Sequence, residues 1–310
     1  MKKTIKIETV KVLLKITGLT LLFAVLLSID YSSLRLSDAI SQAPIKVITF
    51  ALVNTLLLSY FVHSSRWTGW KEWATTFTLL YGMVYVLTAA ETFFLGSILS
   101  ANMVFSMIIN GAVISAAFSG ALVWAFESKR LQKELGSRRL QMPTREWVWK
   151  ILVLAIVYLV LFMIFGVMVY MPLGALLDPI AFTSEQNIAS NASALVFPIE
   201  LIRGALWTLF AVPAIIALPF DWKKTGLVIG LLMTVPLTLS QFLSTTETLG
   251  LQIAHSVEIV GANLIFGLLL VLIYCPLKSC FKSIFPEESE LHAKDCGSIV
   301  KSKRNLFISK

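Results

Sequence analysis

The sequence predicts an all-α, polytopic helical membrane protein of about eight transmembrane helices. Three observations carry that reading. Of 310 residues, 57% are hydrophobic and only 14% charged, with a mean hydropathy of +0.80, whereas soluble domains carry about 25% charged residues. The apolar residues come in eight long runs. The basic residues gather on one side of the layout that those runs define.

The runs are Val12–Ile29, Ile45–His63, Trp73–Leu95, Ile98–Phe126, Trp147–Met171, Leu195–Leu218, Thr225–Ser244 and Gln252–Tyr274. Each reaches the roughly 17–25 residues that a helix needs to cross the hydrocarbon core. Backbone groups have no partner in lipid, so each run must satisfy its own hydrogen bonds as a helix. A β-barrel needs short strands of alternating polarity, and these runs are continuous. The basic start, Met1–Lys15, imitates a signal peptide, but Ser28–Tyr31 is a poor cleavage site. The first run therefore reads as an uncleaved helix.

Eight crossings put 23 of the 26 lysines and arginines on the side of the N-terminus; Arg35, Lys46 and Arg203 are the other three. The positive-inside rule then predicts a cell-membrane protein with both termini in the cytoplasm. Glu72 falls in a cytoplasmic loop beside Arg66 and Lys71. The net charge of +8 is thus a property of one membrane face, suited to anionic lipid headgroups. Nucleic acid is not an expected partner, because the basic loops lack interleaved aromatics and form no domain.

The chain divides into a four-helix half at 1–126, a basic cytoplasmic loop at 127–146, a second four-helix half at 147–276 and a cytoplasmic tail at 277–310. Thr88–Thr92 resembles Ser244–Thr248, and Trp70-Lys71 resembles Trp222-Lys223, at matching places in each half. An even number of helices per half makes such repeats parallel. Two parallel four-helix repeats are therefore expected, with Glu91 equivalent to Glu247; chance similarity between short apolar stretches is the competing reading.

Ionisable groups within the membrane cost about 2.5–3.5 kcal/mol each on insertion scales. Six lie within or at the edge of the runs: Glu91, Glu200, Arg203, Glu247, His255 and Glu258. Counted from the run ends, all six fall in the outer half. Glu200 and Arg203 are i, i+3 neighbours, as are His255 and Glu258, so each pair shares a helix face. Gly261, one turn past Glu258, is expected to leave room beside the carboxylate. Asn110 and Asn263 add neutral polar groups deeper in their helices. Pro198, Pro213 and Pro236 are expected to interrupt two helices near this belt. The bland reading of Glu200–Arg203 is a self-neutralised pair that holds helices in register. Glu91 and Glu247 as interfacial residues reaching water is the corresponding one for the other two.

Gly226-x-x-x-Gly230 and the Ser115–Gly120 stretch read as close helix contacts. The sequon Asn191-Ala192-Ser193 lies in an outer loop. Cys275, Cys280, His292 and Cys296 have zinc-type ligand chemistry at a spacing that matches no common site, so reduced thiols in a cytoplasmic tail are the better reading. There is no HExxH, phosphate loop, GxSxG elbow or redox cysteine pair.

Three functions follow from the acidic belt. A carrier would use the six residues to bind a proton, a cation or a small solute. A membrane-embedded metal-dependent enzyme would hold its metal with His255, Glu258 and another carboxylate. An accessory or assembly subunit would use the charges for helix pairing alone.

Overall fold

A computed structural model of the chain describes residues 2–30, 35–36, 44–90, 101–126, 142–243 and 248–274; for 2–8, 35–36, 101, 103 and 184–195 it describes the backbone alone. Helix α1 (Lys2–Leu27) leads into a short antiparallel pair, β1 (Ile29–Asp30) and β2 (Arg35–Leu36), with Ile29 opposite Leu36 and Asp30 opposite Arg35. Then follow α2 (Pro44–Ser64), α3 (Trp70–Phe77) continuing as the π-helical segment π1 (Thr78–Val86), and α4 (Ala101–Phe126). Next come α5 (Thr144–Phe165), the π-helical segment π2 (Gly166–Tyr170), α6 (Met171–Leu177), α7 (Pro179–Ala217), α8 (Trp222–Gln241) and α9 (Leu249–Tyr274). Met1–Val271 form one unit and Leu272–Lys310 a second, of which 272–274 are described.

The chain is an all-α multi-pass membrane protein. Each apolar run is mainly helix over its described residues, and among the described residues seven stretches are long and apolar enough to cross a membrane. The seventh run, on α8, is helical but falls short of that apolarity. The helix opens on Lys223 and Lys224, contains Thr234 and Pro236, and has ten buried residues. A helix shielded by protein need not be apolar all round. It lies beside α9, where the Asn263 Nδ2 donates to the Met233 carbonyl. At 20 residues it is about 30 Å long, the thickness of the hydrocarbon core.

The first helices pack antiparallel. Lys15 Nζ donates to the Ala125 carbonyl (2.7 Å) near the end of α4 and lies over the Phe126 ring. A cation there satisfies a carbonyl that the helix leaves open. At the other end, Asn110 Nδ2 donates to Asp30 Oδ1 (2.8 Å), and Phe23 stacks on Phe118 between the two ties. Asn110 thus serves the α1–α4 contact.

The second part is built on a long hairpin. From Thr144 to Leu177 the helix runs 34 residues, and α7 returns for 39. At about 1.5 Å per residue both exceed a membrane crossing. Leu152, Ile156, Val160, Ile164 and Met168 form an exposed stripe at i, i+4 spacing, the lipid-facing side. Gly204 brings α7 onto Ala155 and Tyr158, where a Cβ would lie 2.9 Å from the Ala155 Cα. Two expectations change here. The segment expected as an outer loop is helix, so the Asn191-Ala192-Ser193 sequon lies inside α7. The helices also run through Pro198, Pro213 and Pro236.

The hairpin turns at Asp178, whose Oδ1 accepts from the Ala181 N–H (3.1 Å) with Pro179 in the first helical position. That satisfies one of the open donors at the start of α7. The start of α9 closes on the same corner: a Cβ on Gly250 would lie 3.1 Å from the Leu177 carbonyl oxygen. Hydrogen bonds from Thr248 and from the Ala181 amide hold the Asp178 carboxyl below its ordinary value. A carboxylate whose folded value is depressed stabilises the fold above its unfolded value, near 3.8, and loses that contribution as pH falls through the folded value. Thermal unfolding of detergent-purified protein should therefore show Asp178→Ala melting a few degrees lower at neutral pH, with the difference shrinking in acid. Asp178→Asn, which still caps, should fall between. An unchanged midpoint for the alanine variant would refute the role of this corner.

Candidate functional site

Helix α5 with its π2 extension is the wall on which the polar residues of α7 and α9 are mounted. On one side, Arg203 Nη1 donates to Glu200 Oε1 across 3.4 Å, and the guanidinium lies 6.0 Å from the Tyr158 ring. Glu200 is 1% exposed. Trp207, one turn further along α7, is fully buried against Tyr158, and its indole Nε1 has no hydrogen-bond partner among the described residues. On the other side, Tyr158 meets Phe266 of α9 edge-on. Tyr158 therefore joins all three helices.

Further along the wall, His255 Nε2 lies 3.9 Å from Glu258 Oε2, and the His255 ring lies 5.5 Å from the Tyr170 ring. The exposed stripe of α9 is Ile253, Val257, Val260, Ile265 and Leu268. Glu258 is off that stripe and 5% exposed, so it does not face lipid. Its Oε1 lies 3.6 Å from where a Gly166 Cβ would be. Gly166 opens π2, and the Met171 N–H donates to its carbonyl five residues back. Such widened turns collect at functional sites. The Gly166 backbone borders the carboxylate at a distance that a methyl group would also tolerate. Gly261 does not have that role: a Cβ there would lie 2.0 Å from Phe165 Cε1, so the glycine makes room for an aromatic ring.

The i, i+3 pairing expected for both couples is present. The two couples meet α5 at Tyr158 and near Gly166, about 12 Å apart along the helix at 1.5 Å per residue. Residues 151–177 carry no charge, and these two contacts bracket the middle of that run. Glu200 is placed by an α7 that starts at Pro179, well before the apolar run begins. Glu91 and Glu247 lie outside the described residues, as do Cys275, Cys280, His292 and Cys296. Among the described residues, no three His, Cys, Asp or Glu side chains group to hold a metal.

One buried acid was not expected. Glu72, assigned to a water-exposed loop, is 1% exposed and accepts a hydrogen bond from Ser65 Oγ. The turn between α2 and α3 folds back so that Ser65, itself buried, caps the glutamate seven residues on. The charge count around it, with Arg66 and Lys71 close by, reads as an ordinary loop. Nothing in the sequence marks the fold-back except Gly69, the residue of this turn at positive φ.

No known protein family, no curated protein and no solved structure matches this chain.

Proposed function

We propose that this protein is a carrier of the cell membrane, with both termini cytoplasmic, that couples transport to a proton or small cation handled at His255–Glu258 and Glu200–Arg203. The observation that carries the reading is the buried Glu258 carboxylate, set against the open backbone of Gly166 in π2 with an imidazole beside it. Carboxylates and histidine in membrane helices are the usual components of proton pathways. An accessory subunit using its charges for helix pairing has no need of an acid–base couple at a widened helical turn.

Depth supports the same reading. The uncharged run 151–177 is about 40 Å long, against a core of about 30 Å, and fits by tilting. Its middle, where the two couples sit, then falls near the bilayer midplane, where carrier sites lie. The cytoplasmic face, rich in lysine and arginine, would hold anionic headgroups.

The test is proton movement by purified protein in liposomes loaded with a pH-sensitive dye, under an imposed pH gradient. The carrier reading expects dissipation faster than in protein-free liposomes, abolished by Glu258→Gln. No movement above background with a proton, sodium or potassium gradient would overturn it. For topology, reporter fusions after Lys150 and Lys310 should both read cytoplasmic, and a fusion after Asp178 external. An external reading at Lys310 would refute the layout.

A further inference from the structure

The buried couples on α7 and α9 leave one polar contact unaccounted for, at the opposite end of α7. There the turn that follows α2 carries three bonds in succession. Ser65 Oγ donates to Glu72, the Trp67 N–H donates to Ser65 Oγ (3.0 Å), and the Arg66 N–H donates to the carbonyl of Ala217, the last residue of α7 (2.8 Å). The contact is buried: Ser65, Glu72 and Thr76 are buried, and Ala214, Ala217 and Leu218 are fully buried. Thr76 Oγ1 donates to the Glu72 carbonyl, which fixes the first turn of α3 beneath the glutamate. Ala217 is 17 residues beyond Glu200, about 25 Å along the same helix. One helix thus carries a charged couple in its middle and ends on a closed contact governed by a different carboxylate.

We propose that Glu72 is a second proton-binding residue of this protein, and that its ionised form holds the far end of α7 shut through Ser65 while its protonated form releases it. A hydroxyl bond to a carboxylate is roughly twice as strong as one to a neutral group. Protonation therefore weakens the Ser65 contact, and with it the turn that presents the Arg66 N–H to Ala217. Among the described residues, the ionisable groups beside Glu72 along the chain are Arg66 in the turn, Lys71 on α3 and His63 at the exposed end of α2. Helix α4, π1 and the 204–217 part of α7 contribute no charged residue, the tyrosines of π1 being the titratable groups there. This deepens the carrier reading and rests on it for its purpose: a carrier that alternates needs a closure on the side away from its open site, and a closure that responds to a proton links the two.

The experiment uses full-length protein in detergent with Cys275, Cys280 and Cys296 replaced by serine and a single reporter, Ala217→Cys. Maleimide labelling of the reporter is followed against pH, after correction for thiol ionisation. With Glu72 present, labelling should be slow at neutral pH and rise about tenfold as the solution is acidified, the factor set by roughly 1.4 kcal/mol. Glu72→Gln, which imitates the protonated form, should be fast at every pH. Ser65→Ala, which keeps the carboxylate and removes its donor, should also be fast. Equal slow labelling in all three, or the same pH response with glutamine at 72, overturns the proposal. Should the glutamine variant fail to fold, hydrogen exchange of the Arg66 amide in the unaltered protein decides: protection that does not fall with pH overturns the proposal as well. Because labelling needs no transport, a protein that moves no ions can still pass or fail this test.

Discussion

Gly267→Ala is expected to part α8 from α9 and to cost more stability than any other single methyl group added to the bundle. A Cβ at 267 would lie 2.5 Å from both the Cα and the N of Gly230, and 3.2 Å from the Gly226 carbonyl oxygen. These are backbone atoms, so no rotamer change can make way and the helices must separate. The reciprocal contacts agree: a Cβ on Gly230 would come 3.1 Å from the Leu264 Cα, and one on Gly226 3.0 Å from the Leu268 Cα. Helices in lipid associate largely through such close backbone approach. Overpacking commonly costs about 1–3 kcal/mol, and a clash of backbone on backbone belongs at or above the top of that range. Gly18→Ala supplies the control. It also lies in a helix, but its Cβ would meet nothing within 4 Å. Alanine there should raise stability slightly, by about 0.5–1 kcal/mol at most, since it is the better helix former. Denaturation in mixed micelles would compare the two, and equal midpoints would remove the glycine contact as a determinant of the fold.

That contact was legible beforehand, as Gly226-x-x-x-Gly230, because spacing by four puts both residues on one helix face. So were the helices themselves: chain without charge for twenty residues has one stable form in lipid. The two i, i+3 couples were legible for the same reason of helical geometry. What the sequence hides is set by partners distant in the chain. At the turn of the long hairpin Phe182 packs over Gly174 and Tyr170, and no local signal distinguishes Gly174 or Phe182 from loop residues. The π2 segment follows a glycine that looks like any other in an apolar run. Gly261 does not border the carboxylate as expected, because Phe165 takes the space beside it, and Glu258 lies beside Gly166 instead. Glu72 is hidden most thoroughly, since its burial depends on a turn that brings Ser65 back over it.

Replacing Glu258 with glutamine should abolish ion movement and leave the fold intact. The two side chains have the same shape, so glutamine fits the space that glutamate occupies. Even a methyl on Gly166 would stand at ordinary contact distance from Oε1, and His255 Nε2 lies 3.9 Å from Oε2. Glutamine keeps an oxygen that can accept a hydrogen bond but cannot take up or release a proton. A residue that merely ties α9 to α5 would therefore lose little, and one that handles an ion would lose everything. Leucine at the same position separates the cases from the other direction: it should disturb both assembly and flux, because it matches the volume but removes all polar chemistry. Gly166→Ala probes the wall opposite. Its methyl would stand 3.6 Å from Oε1, a tolerable contact, so the protein should fold. The methyl takes the space through which an ion or water would approach the carboxylate, so flux should fall while the melting midpoint holds. The decisive comparison is liposome flux set beside the melting midpoint for the same preparations. Glutamine at 258 with undiminished flux would return Glu258 to a structural part and leave Glu200–Arg203 to bear the ion chemistry alone.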